Sequence, residues 1–352
     1  MTDIKIKNIK KKFYTIKRGK VEALKGIDIE IPAGKFFVLL GPSGCGKSTL
    51  LNILAGIEKP SEGEIHLGEK IVVSSNKKIF LSPKERDVAM VFQSYALYPH
   101  LTAFDNIAFP LKIAKMNKDK IEEKVRWAAE ILEIKNLLNA KPGELSGGQR
   151  QRIALGRAIV REPNLLLLDE PLSNLDAMLR ITMRSELKSI QRKLKLTTIY
   201  VTHDQTEAMS LGDEIAVLKD GMVQQQGSPE HIYNNPENLF VAMFIGSPPI
   251  NILNEKLIQK LNDKLNFLES KRYENIVVGI RPEKIKLVEK DKGIFNGKLK
   301  MSGPPGGDSL YYIEVDETEI LAKTSEVKNL TENDEIGLLF EKNDLMIFNK
   351  EN

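Results

Sequence analysis

The stretch FFVLLGPSGCGKSTLLNILAG, residues 36–56, decides the fold. Its first five residues are apolar without alternation, as in a strand buried on both faces of a parallel sheet. Its last part, STLLNILAG, has helical spacing and a glycine stop. Between them, Gly41, Pro42, Ser43, Gly44, Cys45, Gly46, Lys47, Ser48 and Thr49 fit the phosphate-binding-loop pattern in its required setting, after a strand and before a helix. The glycines let consecutive backbone N–H groups turn inward around phosphate oxygens, at a helix N-terminus whose dipole favours anions. Lys47 would reach the β- and γ-phosphates of a nucleotide, and the Ser48 hydroxyl would hold Mg²⁺. Cys45 fills a free position of the pattern without a redox role. As the single cysteine it excludes an internal disulfide and suits a reducing compartment.

A phosphate clamp alone fits a kinase or a GTPase equally well. Downstream, LLLLDE, residues 165–170, is a second apolar strand that delivers Asp169 and Glu170 to the C-terminal edge of the sheet, where ligands sit in open α/β folds. Asp169 would hold Mg²⁺ there, directly or through water, and Glu170 would polarise an attacking water. TTIYVT, residues 197–202, reads as a further strand. Up to about Gly227 short strands alternate with helical patterns, the sign of an α/β sheet with crossover helices. Between Gln93 and Pro163 no core strand is evident. Instead KIEEKVRWAAEILEI sets Ile121, Val125, Ala128, Ile131 and Leu132 at helical spacing, so residues 94–163 read as a helical subdomain inserted into the sheet domain. At the N-terminus, Ile4 and Ile6 alternate with charges, which suits an exposed strand.

A second candidate anion site opens at GELSGGQRQRIAL, from residue 143. Ser146 can cap a helix, and Gly147 and Gly148 allow close backbone approach by an anion. For a bare SGGQ, a capped surface helix with solvated Arg150, Arg152 and Arg157 is the better account. Its place between the phosphate loop and LLLLDEPLSNLD decides the matter. This ordered set resembles the ATP-binding-cassette (ABC) ATPases over residues 4–235. The resemblance includes a glutamine loop at Gln93 in VFQSYALYPHLT, the signature Leu145, Ser146, Gly147, Gly148 and Gln149, and the dimer-contacting loop SNLD ending at Asp176. The switch His203 in VTHDQTEAM completes it. The commoner form of the SNLD loop has alanine where Asn174 stands.

The resemblance implies two copies docked head to tail, each ATP lying between the phosphate loop of one chain and the signature helix of the other. It further implies that Gln93 touches Mg²⁺ or the attacking water, that His203 contacts the γ-phosphate, and that an aromatic after the first strand stacks on adenine. Phe13 is favoured for that role over Tyr14.

The 352 residues suggest about two domains, placed here at 1–237 and 238–352. Residues 228–249 give Ser228 as a helix cap, Pro229 at the first helical position and a Pro-Pro stop. Beyond them NIVVGIR, GKLKMSG, SLYYIEV, EIGLLFE and DLMIFN are short, alternating and separated by turn residues, the pattern of a small all-β, OB-like barrel. A net charge of +4 beside 28% charged residues points to a solvated surface and away from nucleic acid. No apolar run approaches the ~20 residues needed to cross a bilayer, and the N-terminus lacks a signal-peptide core.

FVAMFIGSPPINIL and the Gly-Ile-Arg-Pro-Glu element from Gly279 to Glu283 resemble the tail of maltose-type sugar importers, whose paired barrels help the ATPases dimerise. The implied function is an ATPase subunit at the cytoplasmic face of the membrane, energising carbohydrate uptake. Its implied partners are a second copy, two permease subunits and, indirectly, a solute-binding protein. Importers of polyamines, iron or sulfate have related tails and stay open as alternatives. A soluble ABC protein acting on ribosomes or nucleic acid is disfavoured by the absence of tandem cassettes. Tyr95, Tyr98 and Phe104 suit a permease-docking pocket or, equally, the interior of the helical subdomain.

Overall fold

The computed structural model describes residues 2–15, 19–267, 275–303, 309–326 and 330–350. The chain divides into two compact units, Met1–His231 and Ile232–Asn352. The division falls slightly before the boundary read from the sequence.

In chain order the first unit has strands β1 (Ile4–Thr15), β2 (Gly19–Ile31), β3 (Phe36–Leu40), β4 (Glu62–Leu67), β5 (Lys70–Ser74) and β6 (Ile79–Phe80). Then come β7 (Val88–Val91), β8 (Leu165–Asp169), β9 (Thr197–Thr202), β10 (Glu214–Lys219) and β11 (Met222–Gly227). Its helices are α1 (Lys47–Ala55), α2 (Pro83–Arg86), α3 (Ala103–Ile113), α4 (Lys118–Ile131), α5 (Gly147–Ile159), α6 (Ala177–Leu194) and α7 (Gln205–Leu211). One sheet has the order β11-β10-β3-β9-β8-β7. Its pairings are parallel except for β11 on the edge. Every residue of β3 and β9 is buried, which is why both strands read as unbroken apolar or β-branched runs. Their C-terminal ends, with that of β8, form the edge where Gly41, Asp169 and His203 emerge.

The second sheet, β2-β1-β4-β5-β6, is antiparallel throughout. It corrects the reading of the N-terminus as an exposed strand: β1 lies between β2 and β4, and Ile4, Ile6 and Ile9 are buried. The alternation marks a strand with one face in the core and Lys5 and Lys7 outside. Helix α1 packs into a core that draws on both sheets, with Leu50 and Leu54 among Ile4, Ile29, Leu39, Ile65, Leu167 and Val201. Each such side chain contributes about 1.5–3 kcal/mol on burial, so the helix that begins at the phosphate loop is firmly held. Between β7 and β8 the described residues form α3, α4, α5 and short turns, with no strand. Ile121, Val125, Ala128 and Leu132 point into that helical section.

Helix α8 (Pro229–Asn234) includes the division point. The second unit continues with α9 (Leu239–Phe244), β12 (Asn251–Leu253), α10 (Glu255–Leu265), β13 (Ile276–Ile280), β14 (Lys286–Glu289) and β15 (Phe295–Ser302). It ends with β16 (Ser309–Val315), β17 (Thr318–Thr324), β18 (Glu335–Leu339) and β19 (Leu345–Asn349). All five strands named from the sequence are present, in two antiparallel sheets, β12-β13-β19 and β14-β18-β15-β16-β17. Helix α10 is an addition to the all-β expectation. It buries Leu257, Ile258 and Leu261 against Val278, Ile280 and Ile313.

Arg281 of the Gly-Ile-Arg-Pro-Glu element is almost wholly buried. It donates to the carbonyls of Ala242 (2.9 Å), Ile245 and Tyr233 (3.1 Å), and its guanidinium lies 4.3 Å from the centre of the Tyr233 ring. The element therefore fastens residues 233–245 to the strands that follow.

Candidate active site

The phosphate loop takes its shape from the protein around it. At Gly41 a Cβ would meet the Leu218 carbonyl oxygen at 2.3 Å, and at Gly46, with φ +107°, it would meet that of Ala23 at 2.6 Å. Gly46 starts α1 with no side-chain cap, so the first-turn N–H groups remain for another acceptor. The Lys47 ammonium is buried and donates to the carbonyls of Gly41 (2.7 Å) and Pro42 (2.9 Å). Cys45 is buried, with Sγ 3.8 Å from Lys47 Nζ. Burial pushes its thiol pKa up, against the pull of Lys47, which suits an inert side chain.

The Ser48 hydroxyl donates to Asp169 Oδ1 at 3.0 Å, across two neighbouring elements. Burial pushes the Asp169 carboxyl up, with the Ser48 bond and Lys47 opposing and the adjacent Glu170 adding to the rise. Two hard oxygen donors meeting at a desolvated carboxylate fit Mg²⁺, and the uncapped helix N-terminus beside buried Lys47 fits a polyphosphate.

Glu170 has φ 43°, a left-handed conformation that a glutamate rarely adopts. Its N–H donates to the Val201 carbonyl at 3.1 Å, and its carbonyl accepts from Ser173 N (3.2 Å) and Oγ (2.8 Å). Thus held, its Oε1 lies 3.2 Å from His203 Nδ1, and the histidine ring is about half exposed. Behind His203, Tyr200 and Thr202 both donate at 2.7 Å to the same oxygen of buried Glu207.

Gln93 follows β7 with its side chain exposed, and its main-chain carbonyl accepts from Asn174 Nδ2 at 2.8 Å. Tyr95 and Ala96 are consecutive left-handed residues, φ 61° and 46°. Arg157 of α5 holds both, donating to Tyr95 O at 2.9 Å and Ala96 O at 2.7 Å. Arg157 is therefore a clamp and not a solvated charge. Tyr95 is only 6% exposed, which removes it from any docking surface. Tyr98 is half-buried against Phe109 at 4.5 Å, and Phe104 is half-buried.

At the signature, Ser146 and Gln149 form a reciprocal cap: Gln149 N–H donates to Ser146 Oγ and Ser146 N–H to Gln149 Oε1. A Cβ at Gly147 or Gly148 would meet Leu175 at 2.9 Å or Leu179 at 3.1 Å. The missing side chains thus admit the chain's own leucines as well as leaving backbone free. Asp176 caps α6 through Leu179 N–H at 2.9 Å. Among the described residues no hydrogen bond or ion pair joins Ser146, Gly147, Gly148 or Gln149 to the phosphate loop. Phe13 is half-buried, with the Lys11 ammonium 4.6 Å from its ring centre, whereas Tyr14 is 80% exposed. Sequence reading missed the Asn174 tie, the Arg157 clamp and the Glu207 network. All three connect side chains to groups that no local pattern identifies.

A family model described as ABC transporter matches residues 24–173, and one described as TOBE domain matches residues 278–348. The trehalose/maltose import ATP-binding protein MalK of Thermococcus litoralis is 46% identical, covering 94% of this chain and 95% of that protein. The diacetylchitobiose uptake system ATP-binding protein MsiK of Streptomyces coelicolor is 49% identical over 84% of this chain and 80% of its own length. The sn-glycerol-3-phosphate import ATP-binding protein UgpC of Cupriavidus metallidurans is 54% identical over 72% of this chain and 66% of its own. Among solved structures, the dimeric MJ0796, a bacterial ABC transporter cassette, superposes with TM-score 0.56 at 34% identity, covering 64% of this chain and 98% of that one. A post-hydrolysis state of the same cassette with ADP and Pi gives TM-score 0.55 at 33% identity, with the same coverage. The chain belongs to the ABC transporter family, as an ATP-hydrolysing cassette followed by a TOBE domain.

Proposed function

We propose that this chain is the motor of a carbohydrate importer, working in pairs at the cytoplasmic face of the membrane beneath two permease subunits. Support for the cargo comes from the sugar-import relative that aligns along nearly the whole chain, tail included. No helix among the described residues is long and apolar enough to cross a membrane, so passage of the solute falls to other subunits. A solute-binding protein and the permease select the sugar, and this chain never touches it. Glycerol-3-phosphate is a second reading of the cargo, favoured by the higher but shorter identity to UgpC.

The chemistry is assigned to the convergence of Ser48, Asp169, Glu170 and His203 at one sheet edge. The loop from Gly41 to Thr49 surrounds the phosphates of ATP, with Lys47 at the β- and γ-groups. Ser48 and Asp169, with Gln93, would hold Mg²⁺, which would supply positive charge beside the γ-phosphate. Glu170 takes a proton from the attacking water as its oxygen bonds to the γ-phosphorus, and the bond to ADP breaks. His203, on the Glu170 carboxylate, contacts the γ-phosphate, and Phe13 stacks on adenine. Ser146, Gly147, Gly148, Gln149 and Asp176 serve the nucleotide bound by the other copy. The test is Glu170→Gln. It should bind ATP, lose about 10²- to 10⁴-fold in kcat and accumulate as an ATP-dependent dimer on size-exclusion chromatography. Turnover at the wild-type rate removes Glu170 as the base.

A further inference from the structure

Asn174 stands where the commoner loop has alanine, and alanine has nothing to donate. Its carboxamide hydrogen-bonds the main-chain oxygen of Gln93 at 2.8 Å, a link across 81 positions of sequence. The residues flanking each end of the link are well fixed. On one side Ser173 is bonded twice to the carbonyl of Glu170, at 2.8 and 3.2 Å, and Leu175 is buried. On the other, Gln93 lies between buried Val91 at the end of β7 and the Tyr95–Ala96 pair that Arg157 clamps. Residues 92–94 between those two anchors are exposed, and the Asn174 bond restrains them.

We infer that Asn174 is a positioning residue: it holds the Gln93 backbone against the SNLD loop and so sets where the Gln93 side chain stands relative to Glu170. The inference rests on the roles proposed above for Gln93 and Glu170. It adds a consequence, because a partner copy that presses on the SNLD loop moves Gln93 through this bond.

The test is steady-state ATP turnover of Asn174→Ala, Asn174→Asp, Gln93→Ala and the Asn174→Ala/Gln93→Ala double variant, with melting temperatures as a control on folding. A single hydrogen bond to a main-chain carbonyl corresponds to a loss of about three- to tenfold in kcat for Asn174→Ala, with KM for ATP unchanged. Asn174→Asp, which sets a carboxylate oxygen against a carbonyl oxygen, loses more. In the Gln93→Ala background Asn174→Ala has no further effect, because no side chain remains to be placed. A wild-type kcat for Asn174→Ala overturns the inference. Losses that add in the double variant, with Gln93→Ala itself impaired, overturn the coupling and leave the role of Gln93 standing. A wild-type kcat for Gln93→Ala removes that role and this inference with it.

Discussion

Replacing Arg157 with methionine should unfasten one loop and leave the rest of the fold intact. The guanidinium supplies two hydrogen bonds to main-chain carbonyls, and bonds from a charged donor contribute about 1.5–3 kcal/mol each. It also lies 5.6 Å from the centre of the Tyr98 ring. Against this stands its own desolvation: burial pushes the Arg157 pKa down, with Tyr98 opposing. The carbonyls it holds belong to two left-handed non-glycine residues, each costing about 1–2 kcal/mol, so the segment returns to ordinary backbone angles once released. A net local loss of about 2 kcal/mol follows, which is about a 30-fold rise in the open fraction. Hydrogen-exchange mass spectrometry on peptides covering residues 92–101 reads this directly. Exchange there should quicken about 30-fold in Arg157→Met, with less change in Arg157→Lys, whose single ammonium cannot reproduce the fork. Peptides from α1 and from the second unit should keep their rates. Unchanged exchange at 92–101, or equal acceleration everywhere, refutes the clamp.

Two other substitutions test the frame. Gly46→Ala places a methyl 2.6 Å from the Ala23 carbonyl at φ +107°, and should lower stability by about 3 kcal/mol and abolish ATP binding. An unshifted urea midpoint with normal nucleotide affinity contradicts that. Arg281→Met strips the donor from three carbonyls of the second unit, at about 1–3 kcal/mol apiece before the relief of burying a charge. Calorimetry should find a transition lowered by about 5–10 °C with ATP turnover within about twofold of wild type; an unshifted melt shows that the element does not fasten this unit.

The sequence made the parallel sheet legible because β3, β8 and β9 are covered on both faces, and their unbroken apolar or β-branched runs end at residues of the site. The strand–loop–helix order around Lys47 was equally plain, since each part restricts the next. The antiparallel sheet was not legible. Its pairing of β1 with β2 and β4 depends on partners distant in sequence, and the one-sided alternation of Ile4 and Ile6 looks the same in an outer strand as in an inner one. Strand β7 is four residues long and only Val91 is buried, too little for a period to show. Tyr95 carried no sign of its left-handed backbone, since no glycine or asparagine marks the position, and so the choice between docking pocket and interior stayed open for its ring. Asn174 looked like a neutral replacement for alanine because its partner is a main-chain oxygen, which every residue possesses and no sequence displays.

The lysine of the phosphate loop is also a strut of the arch it serves. With its ammonium resting on the carbonyls of Gly41 and Pro42, Lys47 cross-braces the curve of backbone through which the anion must be gripped. Exchanging it for a neutral side chain takes away a positive charge and, in the same stroke, strands two oxygens that had a donor. A Lys47 knockout therefore measures a collapsed arch together with a missing cation. Methionine removes charge and donor together, whereas arginine keeps both in a bulkier head.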